Sequence, residues 1–100
     1  MRLLPTKLAG NEISALLNAE TIERVLFCEI SHGEEKEYSV KIQLKADNNP
    51  LTYYENTNKD AAAKEHHILV KWLTLPKPGS EYQRLAYNDF NLYRANQKKQ

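Results

Sequence analysis

The groups able to do chemistry in this 100-residue chain are few: one cysteine, three histidines and thirteen carboxylates. Cys28 is alone, so no disulfide can close within the chain, and a metal site could not rest on cysteines. A nucleophilic thiolate needs a base and surroundings that lower its pKa. Cys28 stands in an apolar, β-rich run with no helix start or glycine loop beside it, so it is expected to act as a small buried hydrophobe. His66 and His67 are adjacent and point in different directions on a helix or a strand. They lack the i, i+4 spacing that brings two imidazoles to one metal. His32 stands apart, in a turn. Glu34, Glu35 and Glu37 are neighbouring carboxylates, and a solvated charged turn accounts for them. The chain has no phosphate loop, dinucleotide fingerprint or zinc-knuckle spacing. No catalytic residues, no metal and no cofactor are expected, and an enzyme is the remote alternative.

Binding chemistry is better represented. There are six tyrosines and one tryptophan. A sheet face carrying lysines beside tyrosines could hold a single nucleic-acid strand by stacking and phosphate contacts. The residues for that reading are Lys41, Lys45, Tyr53, Tyr54, Lys71 and Arg94. The formal net charge is only +1, however, and Glu23, Glu29, Glu37 and Glu55 dilute any positive field. The main expectation is therefore a small non-enzymatic protein-binding or regulatory module. It would act through protein–protein contacts with another protein, or with a second copy as a homodimer. Its contact residues would be Val25, Phe27, Tyr53 and Tyr54, since aromatic side chains are the usual interface anchors. An unpaired hairpin edge adds a route to strand addition. Single-stranded nucleic-acid binding is the alternative.

Composition is that of a globular chain, with 41% hydrophobic and 27% charged residues. One domain over residues 1–100 is expected, with a loose N-terminal arm at 1–10 and a frayed tail at 97–100. The start of the chain lacks the apolar run of a secretory signal, and no stretch approaches a membrane span. A soluble, cytoplasmic protein is the simplest expectation.

The elements that must position these residues centre on one hairpin. From Glu37 to Ala46 the apolar residues Tyr38, Val40, Ile42, Leu44 and Ala46 alternate with polar ones, the period of a half-buried strand. Residues 22–31 form the preceding strand, turning near Gly33 into the strand at 36–46. With Ile30 opposite Tyr38, Cys28 would face Val40, Leu26 would face Ile42 and Arg24 would face Leu44. Val25 and Phe27 would then lie on the other face, in need of cover from within the chain or from a partner.

Outside the hairpin, Asn11 and Glu12 followed by Ile13, Leu16 and Leu17 predict a short helix over Glu12 to Ala19. Asp47-Asn48-Asn49-Pro50 is a turn, and Leu51 to Tyr54 has brief strand character. A helix starts near Lys59, capped by Asn58 or Asp60. Residues 67–75 read as a further strand ended by Pro76, because a continuing helix would put Glu65 and His66 in its apolar arc. Ser80 and Gln83 form a capping box for a C-terminal helix over Glu81 to Asn96, with Tyr82, Leu85, Ala86, Phe90 and Tyr93 on one side. Asn88, Asp89 and Asn91 weaken that helix, and a strand over Leu85 to Tyr93 is the alternative. The expected class is α+β: a small antiparallel sheet built on the hairpin, packed by an N-terminal and a C-terminal helix.

Overall fold

The computed structural model describes residues 2–7 and 14–98. The elements run β1 (Leu3–Lys7), β2 (Ser14–Asn18), a 3-10 turn (Ala19–Thr21), β3 (Ile22–His32), β4 (Glu35–Leu44), β5 (Leu51–Asn56), α1 (Lys59–Leu73), α2 (Glu81–Asn88) and α3 (Phe90–Lys98). The class is α+β. β1 and β2 form one antiparallel pair, and β3, β4 and β5 form an antiparallel sheet in that order.

The expected hairpin is present, but its register is shifted by one residue. Glu29, not Ile30, lies opposite Tyr38, so Phe27 faces Val40 and Val25 faces Ile42. The turn sets this. Gly33 and Glu34 form a two-residue loop in which Gly33 alone takes positive φ, +66°. That is the type II′ pattern, and it fixes His32 against Glu35. A shift of one residue exchanges the faces of the whole strand. Val25 and Phe27 therefore share the inward face with Tyr38, Val40 and Ile42, and Leu26, Cys28 and Ile30 turn outward.

Helix α1 lies across all three strands, and α3 packs on α1 and β1. The core joins Leu4, Val40, Ile42, Ile68, Leu69, Trp72, Phe90 and Tyr93. Trp72 and Phe90 meet edge to face with centroids 5.1 Å apart. Each such buried side chain contributes roughly 1.5–3 kcal/mol.

Three expected elements are corrected. Residues 67–75 are not a strand: α1 continues to Leu73, and the third strand is β5. The apolar stripe of α1 is Ala62, Glu65, Ile68, Leu69 and Trp72, and Glu65 is tolerated in it because Arg94 pairs with it from α3. The helix expected at 12–19 is instead β2 followed by the 3-10 turn; its cap Asn11 and first residues Glu12 and Ile13 lie outside the described residues. Leu16 and Leu17 sit in a strand that pairs with residues 3–7 of the expected arm, and Leu4 enters the core. The C-terminal helix breaks at Asp89, which is extended (φ −118°, ψ 102°) and bridges to Leu3. Its carboxylate accepts from the Leu92 amide at 3.2 Å and restarts the helix as α3. Phe90 and Tyr93 are buried, whereas Leu85 is exposed. The side chain of Tyr82 lies outside what is described. The caps follow the sequence: Asn58 accepts from Ala61 N–H at 3.1 Å, and Ser80 accepts from Gln83 N–H at 3.2 Å.

Candidate functional site

The two edges of the three-stranded sheet are built differently. β5 has six residues and a bulge: Val40 opposes Tyr54 but Lys41 opposes Thr52, which leaves Tyr53 as the extra residue. The bulge lets Tyr53 and Tyr54 both pack on the core, with Tyr53 edge to face on Phe90 at 6.4 Å. β3 has eleven residues, and its irregularity lies at its start, between Ile22 and Arg24. From Arg24 to His32 every residue has one partner on β4. Among the described residues β4 is the only strand beside it. Short length, bulges and prolines are the usual protections of an edge. β5 has two of them; the Arg24–His32 run of β3 has none of these three and carries one charge, Glu29, on its inward side.

The outward face of β3 is also unusual. Its column is Arg24, Leu26, Cys28 and Ile30, and the facing column of β4 is Gln43, Lys41, Ser39 and Glu37. Both columns lie on the same side of the sheet. The β4 column is polar and half-buried, with Ser39 fully covered, while three of the four β3 residues are apolar. Leu26 and Cys28 are half-buried, and Ile30 is 39% exposed. On the inward side Phe27 is still 36% exposed, although its ring meets Tyr38 at 6.1 Å and His66 at 5.7 Å. Val25 packs against the core. Ser39, at the centre of the outward face, is buried, and its Oγ has no hydrogen-bond partner among the described residues.

The expected nucleic-acid residues are not brought together. Lys41 lies on the outward face, and Tyr53 and Tyr54 pack inward. Lys45 is in the turn after β4, and Lys71 is exposed on α1. The Arg94 guanidinium is held by the Glu65 carboxylate at 2.5 Å. The histidines are also dispersed. His32 sits 3.7 Å from the Glu37 carboxylate at the hairpin tip, His66 lies against Phe27, and His67 is exposed.

Two polar constructions escaped sequence reasoning. Behind β5, Glu65 is 7% exposed and its second oxygen is buried without a partner among the described residues. The Tyr53 phenol beside this pair is pushed up to about 12, mainly by burial and also by the Glu65 charge, with Arg94 opposing. At the C-terminal end of α1, Arg2 donates to the carbonyls of Trp72, Leu73 (3.5 Å) and Tyr87 (2.8 Å). Its guanidinium lies 4.3 Å from the Trp72 ring centroid and 4.0 Å from that of Tyr87. Burial lowers its pKa, and Tyr87 opposes the shift. No local signal marks either construction, because each joins residues distant in sequence. A cavity of about 480 Å³ opens beside Arg2, floored by Ile22, Val25 and Leu73. Glu23 and Arg24 at its rim pair with each other at 3.9 Å.

Among the described residues no helix is long and apolar enough to cross a membrane. Comparison with protein-family models, with curated proteins and with solved structures gave no match in any of the three.

Proposed function

We propose that this chain is a protein-binding module whose contact surface is the β3 edge. One observation carries the reading: a long, regular edge strand bears an outward apolar column where its neighbour in the same sheet bears a polar one. Unpaired backbone groups along such an edge supply the hydrogen bonds of an added strand, and the side chains flanking it supply selectivity. Leu26, Cys28 and Ile30 flank the edge on one side and Phe27 on the other. Phe27 thus stays in the expected contact set. Val25 packs against the core behind this edge, whereas Tyr53 and Tyr54 lie on β5 at the opposite edge of the sheet and leave the contact set.

The test is capture of a binding protein by the tagged chain in cells. Ile30→Lys and Leu26→Lys place charge on the β3 column, and Leu16→Lys alters a residue 66% exposed on β2 as a control. All three variants should keep the far-ultraviolet circular dichroism of the parent. Capture should fall with the two β3 variants and persist with Leu16→Lys. Capture that ignores the β3 changes would overturn the assignment.

A further inference from the structure

We infer that the strand completing this edge is β3 of a second copy, antiparallel, about a two-fold axis through Cys28. This rests on the reading of β3 as a binding edge and adds the partner and the register. The argument begins with where the strand is straight. The irregularity between Ile22 and Arg24 ends the regular ladder on one side, and the Gly33-Glu34 turn ends it on the other. The uninterrupted run is Arg24 to His32, and its middle residue is Cys28. A two-fold axis there pairs the whole run with itself, and any other centre leaves part of it unpaired. The interface is isologous, so it closes on two copies and forms no filament.

Facing residues then follow from geometry. Leu26 lies opposite Ile30 of the second copy, Ile30 opposite Leu26, and Cys28 opposite Cys28. Every apolar residue of the outward column meets an apolar residue. On the inward side Phe27 faces Glu29 and Val25 faces Ser31, so no carboxylate stands opposite another. Glu29 is already 3.8 Å from Lys36 of its own chain. Competing centres do worse. An axis at Glu29 sets that carboxylate against its own copy. An axis at Leu26 sets Glu23 against Glu29. An axis at Phe27 puts Arg24 on the apolar Ile30 and leaves Ser31 and His32 without partners in the regular run. Like charges in facing positions destabilise a pair of strands, and matched apolar pairs stabilise it. The product is a continuous six-stranded sheet whose outward apolar columns lie side by side at its centre.

Sedimentation equilibrium of the purified chain should show a monomer–dimer equilibrium. Ile30→Lys should weaken it by about tenfold or more, since two facing pairs are lost per dimer. Leu26→Glu added to Ile30→Lys puts opposite charges in facing positions and should restore it. Mild oxidation should link the wild type through Cys28, because side chains facing each other across a strand pair come within disulfide reach. Leu26→Cys in a Cys28→Ser background should not link, since residue 26 would face Ile30. A monomer at high concentration, or a dimer that ignores Ile30→Lys and does not link at Cys28, overturns the inference. A monomeric chain that still captures another protein through β3 also overturns it, yet leaves the edge-binding reading standing. Absence of β3-dependent association of either kind removes both.

Discussion

Removing the Arg94 guanidinium should destabilise the fold strongly even though water still reaches that side chain. The Glu65 carboxylate is held by Arg94 at 2.5 Å, and the side chains are 9% and 31% exposed. The other carboxylate oxygen is buried and without a partner among the described residues. Arg94→Met therefore leaves a buried charge with neither oxygen satisfied. Breaking a buried pair from one side costs about 3–5 kcal/mol. Partial exposure of Arg94 places the expectation near the lower end, about 3 kcal/mol. For a domain of this size that is a fall in Tm of roughly 12–24 °C. Urea unfolding can be followed by the emission of Trp72, the sole tryptophan, which is fully buried. Glu65→Leu combined with Arg94→Met should recover most of the loss, because replacing both members of a buried pair by apolar groups is close to neutral. A cost below about 1 kcal/mol for Arg94→Met, or a double variant less stable than the single one, would refute this account of why α1 tolerates Glu65.

Arg2→Lys should cost about 2 kcal/mol by urea midpoint, because an ammonium cannot reproduce the planar fork that serves three carbonyls between two rings; parental stability would show the cluster to be decorative. Tyr53 bears on alkaline stability. Its folded pKa is raised from 10.0 to about 12, so the folded state keeps a proton that the unfolded state releases in between. The linked stability is fully present below pH 10 and is lost as pH climbs towards 12, by on the order of 2 kcal/mol. Tyr53→Phe should flatten that fall in an alkaline unfolding series, leaving the contribution of Tyr93, whose pKa burial also raises. An unchanged slope would count against burial of the phenol.

The hairpin was legible because β4 alternates cleanly and Gly33 marks the turn. Its register was not, because β3 is apolar on both faces and only the two-residue loop decides which face points inward. Asn58 and Ser80 were readable as caps, since capping is a local act of one side chain on the next turn. The α1 boundary failed for the opposite reason. Glu65 looked forbidden inside an apolar arc, and the residue that permits it lies 29 positions away. Leu16 and Leu17 fit a helical spacing as well as a strand, and pairing with Leu4 and Pro5 settled the matter. At the candidate surface, Phe27 lies on the inward face and is still 36% exposed, and the outward apolar column is formed by its neighbours Leu26, Cys28 and Ile30, which the sequence reading placed on the inner face.

Arg2 also constrains when the molecule can become itself. Its hydrogen bonds reach residues 70, 71 and 85 positions later. A ribosome adds about 5–20 residues per second, so the second residue must wait several seconds for its partners to be made. In that interval the β3–β4 hairpin can form from local contacts, whereas Leu4 has neither Trp72 nor Phe90 to lie against. Synthesis of this chain thus separates a ribbon that can assemble early from a core that can close only when α2 and α3 have been made.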